Sequence, residues 1–283
     1  MPTLQRDGLR IDYADAGQGP PVLLVHSSAS SHRQWRKLAE RLSPRYRVVA
    51  PNLRGCGDTT AWHAQRPQTL ADAAEVVLAL VDGLHLRAPL RLVGHSFGAG
   101  VALQAARVLG ERVAKLALFE PMLPGLLQGA GRREAAAETQ ALHQQLGRLG
   151  RAGAWLAAAE RFVEYFSGDG AWAALPAEWR RQIADALPRN LHEWDAAMSV
   201  QRGDAFDGVS ALGLLMHGRA TRRALIEMVD VLHARFGHWQ YARVAGGHMA
   251  PLTHADAINR LIADFLDEAP MRAVDAALVF SAV

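Results

Sequence analysis

Short apolar runs alternate with longer amphipathic stretches along most of the chain. Runs of four to eight apolar residues bounded by turn residues predict strands, most of them buried on both faces. The predicted strands are Leu9–Ala14, Pro21–Val25, Arg47–Ala50, Leu90–Val93, Lys115–Phe119, Ala211–Met216 and His238–Val244. Apolar residues at helical spacing predict helices over Trp35–Leu42, Leu70–Leu84, Gly98–Leu109, Ala224–Phe236 and Ala255–Leu266. This alternation predicts an α/β fold with a mostly parallel, doubly wound sheet.

One interval lacks a convincing strand pattern. Residues 124–207 are rich in Ala, Gln and Arg, and segments within them have helical spacing. We therefore predict a helical insertion, here called the cap, between two parts of a core domain formed by residues 1–123 and 208–283. The cap contains four tryptophans, which we expect to pack onto the core or line a pocket: Trp155, Trp172, Trp179 and Trp194.

Two features of the C-terminal part have separate predictions. Thr253 is the expected N-cap of the last helix, with Asp256 three residues further on to complete a capping box. The tail Met271–Val283 follows that helix, and its sequence indicates no role.

Composition narrows the class of protein. Half of the 283 residues are hydrophobic, which suffices for a large core. The formal charge is only +3, and the arginines are interleaved with acids, so a solvated surface is favoured over nucleic-acid binding. Cys56 is the sole cysteine, lies in a glycine-rich turn and allows no intrachain disulfide. The chain begins without the apolar run of a signal peptide and has no membrane-spanning stretch, so we expect a cytoplasmic protein with no membrane partner.

The segment Gly94-His95-Ser96-Phe97-Gly98 directly follows a predicted strand and opens a predicted helix. In that context the G-x-S-x-G pattern is typical of a nucleophile on a tight strand-to-helix turn. The helix N-terminus there favours developing negative charge. Ser96 is therefore the candidate nucleophile, although an ordinary Gly/Ser turn has the same five-residue pattern.

Serine is unreactive without a base, and the chain has twelve histidines. His248 lies in Gly246-Gly247-His248, after the last predicted strand and before the last helix. Loops at the carboxyl edge of a parallel sheet hold the ligands of such folds. His248 is therefore the candidate base.

With these residues in place, the chain resembles the serine-hydrolase branch of the α/β-hydrolase fold superfamily that carries a helical cap. The resemblance runs from about Leu9 to Leu266, and the order of nucleophile, acid and histidine also matches. The matching segments are His26-Ser27-Ser28 with Trp35, Ala50-Pro51-Asn52-Leu53-Arg54-Gly55-Cys56-Gly57, the Ser96 turn, and Gly247-His248-Met249-Ala250-Pro251. The resemblance implies an oxyanion hole formed by the N–H groups of Ser28 and Phe97. Ser27 stands where the family usually has glycine.

The resemblance leaves the acid of the triad open. Most members place an Asp a few residues after the strand matching Leu212–Met216, where this chain has Thr221. Other branches place the acid after the strand that follows the nucleophile helix, and Glu120 occupies that position. We predict Glu120 as the acid. The alternatives are Glu227, Asp230 or no acid at all, with Glu120 only hydrogen-bonding the sheet edge.

The sequence contains no H-E-x-x-H, no C-x-x-C and no G-x-G-x-x-G, so we expect no metal and no organic cofactor. Serine at the nucleophile position disfavours dehalogenase and epoxide hydrolase chemistry, which uses a carboxylate there. We predict hydrolysis of a small, largely apolar ester or lactone. The candidate substrate-lining residues in the cap are Trp155, Phe162, Trp172 and Trp194. The alternatives are C–C bond hydrolysis, thioester cleavage or a lyase reaction on the same triad, or a receptor-like protein with a degenerate triad. The sequence does not predict an oligomeric state.

Overall fold

A computed structural model describes residues 1–87 and 89–268. An eight-stranded sheet forms its centre, in the order β1-β2-β4-β3-β5-β6-β7-β8. The strands are β1 (Thr3–Arg6), β2 (Leu9–Ala16), β3 (Pro21–Val25), β4 (Arg47–Pro51), β5 (Leu90–His95), β6 (Val113–Phe119), β7 (Leu212–Gly218) and β8 (Gln240–Val244). β2 pairs antiparallel with both β1 and β4, and every other pairing is parallel.

Helices cover both faces of the sheet. They are α1 (Arg36–Leu42), α2 (Leu70–Gly83), α3 (Phe97–Leu109), α4 (Gly125–Gly129), α5 (Arg133–Arg151), α6 (Trp155–Ser167), α7 (Ala171–Ala174), α8 (Ala177–Met198), α9 (Arg223–Arg235), α10 (Ala250–Thr253) and α11 (Ala255–Asp267). One buried cluster joins α2, α3 and α9 to the sheet, and a second joins α1 and α11 to its other face. Because strands buried on both faces need apolar residues at every position, β3 is Pro-Val-Leu-Leu-Val and wholly buried. The predicted doubly wound α/β fold is confirmed.

Residues 124–207, the predicted cap, contain α4 to α8 and a short 3₁₀ helix, and no strand is found in them. These helices share a separate apolar cluster, which also contacts α9. One cap tryptophan departs from the expectation of packing: Trp179 is 57% exposed. It lies near the start of α8, and the described part of the chain leaves more than half of it uncovered.

The prediction of Thr253 as the N-cap residue of the last helix is wrong. The helix begins after His254, and the hydroxyl of Thr253 instead contacts Met249 O and His254 Nδ1. Thr253 is the last residue of the one-turn helix α10, so its backbone is already helical and leaves no extended N-cap geometry. The tail Met271–Val283 lies outside the described residues. Within the described ranges, no helix combines the length and the apolar character needed to cross a bilayer.

Candidate active site

Ser96 lies on the turn that joins β5 to α3. Its φ of 56° and ψ of −123° are strained for a residue with a Cβ. The flanking glycines make the turn possible, because a Cβ on Gly94 would lie 2.5 Å from Ala99 Cα and one on Gly98 would lie 2.2 Å from His26 O. The sequence pattern therefore corresponds to a real close approach of helix and sheet. Ser96 is 4% exposed.

His248 follows β8 and lies 3.0 Å, Nε2 to Oγ, from the hydroxyl of Ser96. The imidazole is 4% exposed, and the ring of Phe166 from the cap lies over it at a centroid separation of 4.8 Å. The cap thus covers the Ser96–His248 pair from above. Phe166 was not predicted as a site residue.

Glu120 is the residue directly after β6 and is fully buried. Its Oε2 accepts a hydrogen bond from His248 Nδ1 at 2.6 Å. The backbone N–H of Gly218 donates to Oε1 at 2.7 Å, and the hydroxyl of Thr221 donates to Oε2 at 2.9 Å. Thr221 occupies the position where most family members have the acidic Asp. Its hydroxyl therefore binds the carboxylate of Glu120, which replaces that Asp.

The alternative acids lie elsewhere. Glu227 is on α9, where it pairs with Arg223 at 2.6 Å, and Asp230 accepts a hydrogen bond from the hydroxyl of Tyr241. Glu120 is therefore the carboxylate that the structure brings to His248. A carboxylate on Nδ1 keeps the proton on that nitrogen, so the Nε2 lone pair faces the serine hydroxyl and can accept its proton.

A second buried histidine supports the loop that carries His248. The side chain of Gln34 accepts two hydrogen bonds from Ser27, through the N–H at 2.9 Å and the hydroxyl at 2.8 Å. The Gln34 amide nitrogen must then face away from Ser27, and it donates to His95 Nδ1 at 3.1 Å. His95 Nε2 in turn donates to the backbone oxygen of His248 at 2.9 Å. Burial holds the pKa of His95 well below its usual range, so the ring stays neutral in this tautomer.

The same contacts explain how a serine replaces the usual glycine in the first loop. The hydroxyl of Ser27 is buried and satisfied by Gln34, so the extra side chain does not crowd the site. The next residue, Ser28, lies on the cavity that holds Ser96 and Phe97. Among the backbone hydrogen bonds of the described residues, none uses the N–H of Ser28 or of Phe97. Both N–H groups thus remain available to an oxyanion.

The cavity above Ser96 is nearly filled by its own walls, and its free volume of about 10 Å³ holds no more than one water molecule. Its walls are Ser28, Phe97, Met122, Phe162, Phe166, Asn190, Glu193, Trp194 and Ala197. Phe162 and Trp194 therefore line it as predicted candidates, whereas Trp155 and Trp172 do not. Both of these are half-buried against the apolar cluster of the cap itself, because their positions on α6 and α7 face other cap helices.

Cys56 lies in the glycine-rich turn that the sequence indicates. It is 2% exposed, and burial raises the pKa of its thiol to about 12. Thiolate is the reactive form of cysteine, so this burial disfavours nucleophilic chemistry at Cys56.

Acid should weaken the fold through His26, which is fully buried in the first loop. Its Nδ1 donates to Ser27 O and its Nε2 accepts from Leu53 N, and burial lowers its pKa to about 4. Above pH 6.5 the ring is neutral in both folded and unfolded chains. Between pH 6.5 and about 4 only the unfolded chain takes up the proton, so stability is lost as pH falls. We expect His26 to lower the free energy of unfolding by about 1 kcal/mol between pH 7.5 and 5.5, with His95 acting in the same direction.

Urea unfolding at the two pH values measures this difference. Replacing His63 by glutamine should leave this difference unchanged, because the side chain of His63 is exposed to water in the folded chain as it is in the unfolded one. An unfolding free energy that is equal or higher at pH 5.5 would contradict the prediction.

Comparison with known proteins shows the family to which the chain belongs. Residues 20–202 match the family model described as alpha/beta hydrolase fold. A soluble epoxide hydrolase from Corynebacterium sp. (strain C12) is 33% identical over 125 residues, which is 43% of this chain and 41% of that protein. The first curated relatives are thus matched over less than half of their own length. A 2-hydroxymuconate semialdehyde hydrolase from Pseudomonas sp. (strain CF600) is 26% identical, and the match covers 94% of each chain.

Solved structures show the same fold. The enol-lactonase from Burkholderia xenovorans LB400 superposes with a TM-score of 0.73 at 19% identity, covering 94% of this chain and 100% of that one. An esterase from Exiguobacterium antarcticum gives a TM-score of 0.72 at 20% identity, covering 93% and 97%.

Proposed function

Since this enzyme belongs to the α/β-hydrolase fold family, we propose that it is a serine hydrolase that cleaves a small, largely apolar carboxylic ester or lactone. The observation that carries the proposal is the buried chain of hydrogen bonds from Ser96 Oγ through both ring nitrogens of His248 to Glu120. A serine hydroxyl becomes a nucleophile when a neighbouring base takes its proton, and this base is held in the correct tautomer by a carboxylate.

The reaction proceeds in two halves. Ser96 Oγ attacks the carbonyl carbon while its proton passes to His248 Nε2, and the N–H groups of Ser28 and Phe97 hold the oxyanion. The tetrahedral intermediate collapses, the leaving oxygen takes the proton from His248, and an acyl-enzyme remains on Ser96. Water then gives a proton to His248 and attacks the acyl carbon, after which the acid product leaves and Ser96 recovers its proton.

The walls of the cavity support an apolar acyl group. Its free volume of about 10 Å³ is far below that of ligand sites, so side chains of the cap must move apart to admit even a small substrate. Six of its walls are apolar: Phe97, Met122, Phe162, Phe166, Trp194 and Ala197. Such walls bind an apolar acyl group by removing its surface from water. The enol-lactonase and the esterase among the structural neighbours agree with this substrate class, although at their identity they share only the fold.

Hydrolysis of a C–C bond in a dione is a second candidate. The relative matched over 94% of both chains is named as a 2-hydroxymuconate semialdehyde hydrolase, and this end-to-end match favours it. Steady-state rates on a panel of short esters, lactones, thioesters and ring-cleavage diones separate the two. A kcat/KM for esters or lactones at least tenfold above that for diones is expected, and the reverse order would favour the second candidate.

A fluorophosphonate probe tests the proposed nucleophile directly. We expect one equivalent of probe to attach to Ser96 and to abolish hydrolysis of p-nitrophenyl butanoate in proportion to labelling, because the phosphorus mimics the attacked carbonyl and the adduct cannot be hydrolysed. Mass spectrometry of the peptide containing Ser96 locates the adduct. A protein that hydrolyses the ester but is labelled at another residue, or at none, would contradict the proposal.

A further inference from the structure

Two polar side chains interrupt the apolar wall opposite Ser96. Asn190 and Glu193 lie three residues apart on α8, and both line the cavity that contains Ser96. They are 2% and 4% exposed. Residues at this spacing share one face of a helix, so their side chains act together.

Each of the two side chains has one oxygen without a partner. Asn190 Nδ2 donates to Glu193 Oε2 at 3.2 Å. Because a carboxylate accepts hydrogen bonds only, the amide nitrogen must face it, and this fixes Asn190 Oδ1 on the other side. Asn190 Oδ1 and Glu193 Oε1 are buried, and neither has a hydrogen-bond partner among the described residues. Buried polar atoms in native proteins are nearly always paired with protein groups, water or a ligand, so these two oxygens indicate a donor that enters the cavity.

The surroundings favour a neutral donor. The cavity adjoins a larger vestibule, and Phe97 and Glu193 line both. Two arginines and two carboxylates line this vestibule, Arg54, Arg189, Asp185 and Glu193, so their formal charges cancel. Inside the cavity Glu193 is the one charged side chain among the described lining residues, so an ammonium group would be attracted to it but would lose its water shell against the apolar walls. A hydroxyl group loses much less on transfer.

We propose that the substrate carries a hydroxyl group that donates a hydrogen bond to Glu193 Oε1, with Asn190 Oδ1 as a neighbouring acceptor. The inference rests on the proposed ester or lactone hydrolysis at Ser96. Because Glu193 and Ser96 line the same small cavity, the hydroxyl lies only a few atoms from the scissile carbonyl. The substrate class is therefore a short hydroxy ester or hydroxy lactone.

Matched esters test this donor. On the acyl side, p-nitrophenyl 3-hydroxybutanoate is compared with the 3-methoxy and 3-amino esters, and 2-hydroxyethyl butanoate with 2-methoxyethyl butanoate on the alcohol side. A methoxy oxygen accepts hydrogen bonds but does not donate them. We expect kcat/KM for the hydroxy compound to exceed that for the methoxy compound about 10- to 100-fold in one of the two series.

The variant Glu193→Gln tests the residue. Asn190 Nδ2 would hold the carbonyl oxygen of the new amide, so its NH₂ group would turn toward the cavity as a donor. A hydroxy and a methoxy substrate can both accept from this group, and we expect their kcat/KM ratio to fall toward one. Glu178→Gln makes the same change at an exposed position on α8, about 22 Å along the helix, and should keep the wild-type ratio.

A hydroxy-to-methoxy ratio near one in both series of the wild-type enzyme would overturn the inference, as would an unchanged ratio in Glu193→Gln. Preference for the 3-amino ester over the hydroxy ester would overturn the choice of a neutral donor. Hydrolysis of plain p-nitrophenyl butanoate with probe labelling at Ser96 is independent of Glu193 chemistry. The two failures are therefore distinguishable, because loss of that activity speaks against the proposed function and loss of the ratio speaks only against the hydroxyl.

Discussion

Ser96→Ala is expected to abolish the burst of p-nitrophenol from p-nitrophenyl butanoate and to lower kcat by about 10⁴-fold or more. Without Oγ no acyl-enzyme forms. Water is then the only nucleophile from which His248 can take a proton. The residual rate comes from substrate positioning and the two backbone N–H groups. The fold should survive, because alanine tolerates the φ of 56° as well as serine does and the backbone bond from Ser96 N to Phe119 O is kept.

Stopped-flow absorbance measures the burst, and thermal unfolding verifies that the variant is folded. Ser167→Ala serves as the matched control, since Ser167 is an exposed residue at the end of α6. It should keep a burst of one equivalent. A burst that persists in Ser96→Ala would exclude Ser96 as the residue that is acylated.

The sequence predicts the sheet well because its strands are buried on both faces. β3 has the predicted bounds, Pro21–Val25, and the other six predicted strands overlap those observed. The strand β1 was not predicted, since its four residues lie at an edge, are mostly exposed and carry no alternating apolar pattern. The helix α5 was missed for a similar reason: its buried positions include Ala135 and Thr139, which carry little hydrophobic signal.

Parts of the candidate site follow from chain connectivity alone. Ser96, Glu120 and His248 each lie just past the carboxyl end of a parallel strand, and these ends meet at one edge of the sheet. The cap residues that line the cavity cannot be predicted from connectivity, because their distance from Ser96 depends on how the helices pack. Phe162 and Trp155 are both large aromatic residues on one face of α6, and only their separation of about 10 Å along the helix brings the first and not the second to the cavity.

The sequence also does not predict the hydrogen bonds around His95. This neighbour of Ser96 in the chain reaches the backbone oxygen of His248 and connects it to Gln34. Gln34 lies 61 residues earlier in the chain, and no local pattern distinguishes it from a surface glutamine.

Glu120→Gln is expected to lower kcat by about 10³- to 10⁴-fold while the enzyme stays folded. The new amide has the size of the carboxylate, but its NH₂ group would face His248 Nδ1 if the carbonyl oxygen keeps the N–H of Gly218. Nδ1 would then have to accept, and the ring proton would move to Nε2. With Nε2 protonated, the ring can no longer take the proton of Ser96.

Three substitutions separate this effect from a general loss of charge near the site. Glu227→Gln and Asp230→Asn remove the two alternative acids, and each should retain turnover within about threefold of wild type, because neither side chain contacts His248. Thr221→Val removes one donor to Glu120 but keeps the carboxylate and its bond to Gly218, so we expect a loss of only about tenfold or less.

The tautomer itself is observable. In the wild-type protein His248 Nδ1 donates its proton to the buried carboxylate of Glu120 at 2.6 Å. A short hydrogen bond to a charged acceptor strongly deshields the imidazole proton in ¹H NMR spectra. This resonance should disappear in Glu120→Gln and remain in Glu227→Gln. Near-normal turnover in Glu120→Gln with the resonance unchanged would remove Glu120 from the catalytic group, and a large loss in Glu227→Gln or Asp230→Asn would transfer the role to that residue. Loss of both turnover and resonance in Glu120→Gln alone would identify Glu120 as the acid that orients His248.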